Sequence, residues 1–209
     1  IEVFANTGAF AALKNDGSVV TWGYNSWGGY LGRTYERVTR SSSNYTDDVS
    51  TNLTSGITKI CASDNAFAAL KSDGSVVTWG SKTNGGDSSS VFDDLTSDVT
   101  DIYSTTSSFA AIKEDQSVVT WGSSSNGGDS SSVSEELSGG ITKLASNDYA
   151  YAAFKDNGAV ITWGSYSYGG NSSSVSAQLA TGVVDVVFNR YAFAALKDDG
   201  SAISWGNYS

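Results

Sequence analysis

The sequence contains no histidine, no proline and no methionine, and it has a single cysteine, Cys61. Without histidine, the commonest general base and metal ligand is missing. A lone cysteine excludes an internal disulfide, which suits a reducing compartment and equally a secreted β-protein with an adequate core. A thiol nucleophile would need an activating base, so Cys61 reads as a small core residue. Basic residues are also scarce: 12 Lys and Arg stand against 22 Asp and Glu, for a net charge of −10. Such a surface repels phosphate, so nucleic acids and anionic membranes are not expected partners. No apolar run approaches the roughly 20 residues of a membrane span. The chain opens on Ile1 without a visible targeting segment. It is expected to be a processed product or an excerpt of something longer.

What the sequence has in abundance is repetition. Five copies of one pattern run through its 209 residues: Phe10–Gly23, Phe67–Gly80, Phe109–Gly122, Tyr151–Gly164 and Phe193–Gly206. They are anchored at Trp22, Trp79, Trp121, Trp163 and Trp205. The spacing between tryptophans is 57 and then 42 three times, so the first unit carries an insertion at about Tyr30–Asn44. A fixed period of this size signals one supersecondary unit that buries its faces only against its neighbours. Residues 1–209 are therefore read as a single repeat domain.

Each unit has four parts. The first is an apolar strand such as Ile57–Cys61. The second and third, Ala66–Leu70 and Ser75–Trp79, flank an Asp-Gly turn and form a tight hairpin. Gln116 replaces the turn glycine in the third copy, and its turn is expected to differ slightly. The fourth part follows a Gly-Gly pair and predicts a helix of one to two turns. Ser132 with Glu135 has capping-box spacing. Val133 with Leu137, like Val91 with Leu95 and Val175 with Leu179, places two aliphatic side chains on one face. Phe67, Ala69 and Lys71 share one face of their strand, and Ala66, Ala68 and Leu70 the other. Both faces are largely apolar, so both are expected to be covered, in a single continuous core. The fold class is all-β: a five-repeat, propeller-like array of short antiparallel blades, or an open stack of the same units.

The stretch Phe10–Gly32 (FAALKNDGSVVTWGYNSWGGYLG) resembles the regulator of chromosome condensation repeat. Asp16, Gly17, Trp22, Gly23, Asn25, Gly28, Leu31 and Gly32 fall on its pattern, and the hairpin half matches in all five copies. The resemblance implies propeller-like blades with shortened outer strands. Some members of that family act as nucleotide-exchange factors, but no residue of this chain carries that activity over.

No catalytic residue, cofactor site or metal site emerges. The carboxylates form no pair that stands out by position, no EF-hand ligand pattern exists, and the Asp-Gly turns lack the sialidase Asp-box spacing. The five tryptophans read as buried structural residues, with a ring of sugar-stacking platforms as the functional alternative. Trp27, Tyr166 and Tyr168 lie in a loop where other copies carry Ser, Thr or Asn, which makes them binding candidates. The insertion holds Arg33, Arg37 and Arg40, three of the four arginines, beside Tyr30 and Tyr35. In an acidic protein this reads as a contact patch for a protein or an anionic group. Asn44, Asn52, Asn171 and Asn207 begin glycosylation sequons. The expected function is a non-catalytic structural or protein-interaction scaffold, within a larger chain or self-assembly. An exchange-factor-like regulatory module and a carbohydrate-binding propeller are the alternatives. An extracellular or lumenal location is expected, with the cytoplasm as the alternative.

Overall fold

A computed structural model describes residues 1–30 and 49–207. Among them lie five three-stranded antiparallel sheets, each built from strands adjacent in sequence. Blade 1 holds β1 (Glu2–Ala5), β2 (Ala9–Leu13) and β3 (Val19–Gly23). Blade 2 holds β4 (Ile57–Ala62), β5 (Ala66–Lys71) and β6 (Val76–Gly80). Blade 3 holds β7 (Val99–Ser104), β8 (Ser108–Lys113) and β9 (Val118–Gly122). Blade 4 holds β10 (Ile141–Ser146), β11 (Ala150–Lys155) and β12 (Val160–Gly164). Blade 5 holds β13 (Val183–Phe188), β14 (Ala192–Lys197) and β15 (Ala202–Gly206). The architecture is the propeller-like array that the period implies.

The hairpin turns are fastened by their aspartates. Asp73 Oδ1 accepts from the backbone N–H of Ser75 at 3.0 Å and from its hydroxyl at 2.6 Å. Those two bonds hold the exposed carboxyl below its ordinary pKa, and the same device recurs at Asp16, Asp115 and Asp199. Gln116 does not alter its turn. Its φ of 66° is the left-handed value that Gly74 takes at 78°, and its N–H donates to Lys113 O at 2.9 Å as Gly74 donates to Lys71 O. The hydrogen-bonded hairpin outweighs the steric cost of a side chain in that region, about 1–2 kcal/mol.

The segment after each Gly-Gly pair is shorter than a regular helix. In units 2 to 4 it consists of 3-10 turns such as Ser131–Val133, with one α-helical turn, α1 (Ser176–Leu179), in the fourth. The expected capping box at Ser132 and Glu135 is not formed. Instead Asp129 Oδ1 accepts from Ser131 N–H at 2.9 Å, and Asp87 and Asn171 do the same for Ser89 and Ser173. A side-chain acceptor two residues upstream satisfies the turn first. The docking residues are where the pattern puts them: Leu95, Leu137 and Leu179 are buried, and Val91, Val133 and Val175 pack beside them.

Alternation along the strands sends the two faces to different neighbours. Phe67, Ala69 and Trp79 meet Ala9, Ala11 and Val19 of blade 1, whereas Ala66, Ala68 and Leu70 meet Phe109, Ala111 and Trp121 of blade 3. The interior is therefore four separate clusters, one per blade junction, rather than the single continuous core expected. Each strand backbone is itself a wall between clusters, because no side chain reaches through a sheet. Among the described residues no buried cluster joins blade 5 to blade 1.

Each junction is closed by the same bond. The indole N–H of Trp79 donates to Gly28 O at 3.2 Å, Trp121 to Gly85 O at 3.0 Å, Trp163 to Gly127 O at 3.0 Å and Trp205 to Gly169 O at 3.1 Å. Every indole also stacks on the aromatic ring paired with it across the hairpin, with centroids 5.0–5.5 Å apart. The apolar body is buried and its one polar atom is satisfied.

Candidate functional site on the axial face

The loops joining the first and second strands of all five blades converge on one cavity of about 650 Å³. Backbone bonds tie the tips of blades 1 to 4 together: Thr7 N–H donates to Asp64 O, Asp64 N–H to Thr106 O and Thr106 N–H to Asp148 O, at 2.9–3.0 Å. The second residue of each tip folds back on its own strand. Asn147 Oδ1, for example, accepts from Ala150 N–H at 2.8 Å, while its Nδ2 donates to Tyr168 O at 2.8 Å. The tips are thus fixed, and the third residue of each is free to vary. Those residues are Thr7, Asp64, Thr106, Asp148 and Arg190.

Charge is unevenly placed on this rim. Arg190 Nε donates to Asp148 Oδ2 at 2.7 Å. Burial, reinforced by the negative charge of Asp148, raises the carboxyl of Asp64 above its ordinary pKa, and Arg190 opposes the shift. Beside the Asp148–Arg190 pair lies a cluster of three tyrosines. Tyr149 and Tyr168 have centroids 4.7 Å apart, Tyr168 and Tyr191 5.3 Å, and Tyr149 and Tyr191 stack at 6.0 Å with an 8° interplanar angle. The Arg190 guanidinium sits 5.4 Å from the Tyr191 centroid. Aromatic rings backed by an arginine are the composition of protein-contact hot spots.

The residues singled out from the sequence part company here. Tyr168 joins the tyrosine cluster. Tyr166 points away: it is exposed and lines a different depression with Asn171, Ser173 and Trp205. Trp27 is half-buried in the first junction, where it lies against Gly8 so closely that a Cβ there would sit 2.3 Å from its ring. Arg33, Tyr35, Arg37 and Arg40 lie outside the described residues, as does Asn44. Asn52 is exposed, Asn171 caps its turn, and Asn207 is half-buried, its N–H donating to Tyr191 O at 3.0 Å.

Tyr149 and Tyr191 went unnoticed in the sequence. They stand one period apart, at the position where earlier copies have Gly8, Asn65 and Ser107. An aromatic replacing small or polar residues in two adjacent copies is the signal that would have found them.

The sugar-stacking alternative for the periodic tryptophans fails on burial, since Trp79, Trp121, Trp163 and Trp205 are all buried. Cys61 is no nucleophile: its thiol donates to Ile102 O, and burial pushes its pKa up to about 11. Among the described residues no group of three or more His, Cys, Asp or Glu side chains is placed to hold a metal ion. No described helix is long and apolar enough to cross a membrane.

Comparison with known proteins agrees with this geometry. Residues 57–85 match the model of the regulator of chromosome condensation (RCC1) repeat. No curated protein matches the sequence. Among solved structures, the chain is similar to human WBSCR16 (TM-score 0.58, 18% identity, 99% of this chain and 61% of that one). It is similar to yeast RCC1 (Prp20), in the structure of Kap60 bound to it (0.56, 17%, 98% and 55%). The ectodomain of the Arabidopsis thaliana receptor kinase ACR4 is a third (0.51, 17%, 100% and 65%). The chain spans less than two thirds of each of these proteins. It is a five-blade array of repeats similar to those of the regulator of chromosome condensation family.

Proposed function

We propose that the chain is a non-catalytic protein-interaction scaffold that receives its partner on the axial face, beside Tyr149, Tyr168 and Tyr191. One observation carries this reading. In a framework that otherwise repeats, the three rings, the Asp148–Arg190 pair and the open cavity lie together, with Tyr149 and Tyr191 on the strand-joining loops of blades 4 and 5 and Tyr168 in the turn that follows the last strand of blade 4. Rigid aromatics lose little entropy on binding, and rim charges select the partner. The likeness to yeast Prp20, which is bound by Kap60, supports a protein as the ligand class. The arginines at 33, 37 and 40 are a second contact in this proposal. An extracellular or lumenal site accompanies it, because Asn52 offers an exposed sequon.

The test is affinity capture with the intact chain and with Tyr191→Ala and Arg190→Ala. A partner held by the native protein is expected to bind at least about 30-fold more weakly to Tyr191→Ala, the loss of a hot-spot residue worth about 2 kcal/mol. Arg190→Ala should melt with the native chain, and Tyr191→Ala should stay folded with a midpoint about 2–4 °C lower, for the ring contacts it loses. Equal retention by both variants would remove the proposal.

A further inference from the structure

The four internal junctions share one scheme. An aromatic pair on the face toward the preceding blade enters a pocket of small and aliphatic residues on that blade's opposite face. Both halves of a fifth such junction are present and uncovered. On blade 1, Phe10 and Trp22 occupy the positions of Phe67 and Trp79, which are 0% and 1% exposed, yet they are 41% and 44% exposed. They are already stacked at 5.3 Å and 15°, the arrangement of the buried pairs. On blade 5, Leu196 is 47% exposed where its equivalent Leu70 is 7%, and Val187 is 61% exposed. Val187, Ala192, Ala194 and Ser204 line an apolar cleft of about 310 Å³ on this face. The corresponding residues of blade 2, Ala66 and Ala68 among them, enclose Phe109. A formed knob and a formed hole thus sit at opposite ends of one molecule.

We infer that the chain associates head to tail with a second copy of itself, Phe10 and Trp22 of one copy entering the cleft at Val187, Ala192 and Ala194 of the other. Continuity with the internal junctions selects this occupant: the two surfaces already meet four times within the chain in equivalent form. The contact is heterologous, so each copy keeps one face open and association continues beyond the dimer until a ring closes or a filament grows.

The charge pattern makes the inference specific. Lys59 of blade 2 pairs with Asp101 of blade 3 at 2.5 Å, and Lys143 of blade 4 with Asp185 of blade 5 at 3.4 Å. The equivalent residue on blade 1 is Glu2. In the intermolecular junction Glu2 therefore stands where a lysine would complete a pair with Asp185, and two carboxylates oppose each other instead. The opposed carboxylates place the contact at the weak, transient end of the interface range.

Sedimentation velocity over a concentration series of the intact chain tests this. The native protein is expected to show concentration-dependent species above 21.8 kDa. Phe10→Asp and Val187→Asp should each abolish them. An equimolar mixture of those two variants should recover a dimer and nothing larger, because each supplies the face the other has lost. Glu2→Lys, an exposed change that leaves the core intact, should tighten association about tenfold. A protein that stays at 21.8 kDa throughout overturns the inference. So does indifference to Glu2→Lys, or association that survives Phe10→Asp.

Discussion

Trp121→Ala is expected to destabilise the protein by about 3–5 kcal/mol, the usual cost of deleting a buried large aromatic. The indole is fully enclosed, stacks on Phe109, and its N–H is satisfied by Gly85 O. Truncation therefore leaves a cavity and an orphaned carbonyl at the junction of blades 2 and 3. Trp22→Ala supplies the internal control. It removes the same residue from the same place in the repeat, but with no preceding blade to fill. Its expected cost is about 1 kcal/mol, the worth of its stacking on Phe10. Urea unfolding followed by circular dichroism reads both. Equal losses in the two variants would mean that tryptophans serve their own hairpins rather than the junctions.

The second large effect is expected at the Gly-Gly loops. Gly85 has a φ of 94°, and a Cβ there would lie 2.4 Å from the Phe109 ring of the next blade. Gly85→Ala thus imposes left-handed strain of about 1–2 kcal/mol, and the overpacked ring adds about 1–3 kcal/mol. Gly200 separates the two contributions. Its φ is 82° and nothing lies within 4 Å of its Cβ position, so Gly200→Ala carries the conformational cost alone. Thermal denaturation should lower the midpoint for Gly85→Ala well below that for Gly200→Ala. Matching midpoints would show that the loop does not press on the following blade.

Much of this fold was legible because its determinants are local. A two-residue alternation placed Phe67 and Ala69 opposite Ala66 and Ala68, and the structure sends them to different clusters. Leu95, Leu137 and Leu179 dock from positions set by helical spacing alone. Competition between local bonds was less legible. Ser132 and Glu135 have the spacing of a capping box, yet Asp129 reaches the backbone first. At Gln116 the hairpin imposes a left-handed φ that the residue type argues against. The candidate site was legible only at Tyr168. Its partners Tyr149 and Tyr191 come from tips on successive blades, and their meeting depends on how blade 4 sits on blade 5, which no single segment encodes. Equally, no local signal tells Trp22 from Trp79. Identical segments differ in burial only through their place in the array.

That difference gives the most direct test of front-to-back blade stacking. The six tryptophans yield six indole N–H signals in an NMR spectrum of the isotope-labelled chain, assignable by single substitution. Blade stacking predicts slow hydrogen exchange for Trp79, Trp121, Trp163 and Trp205, whose N–H groups are buried on glycine carbonyls, and rapid exchange for Trp22 at concentrations where the chain is monomeric. Rapid exchange at those four positions, or protection of Trp22 equal to theirs, would contradict it.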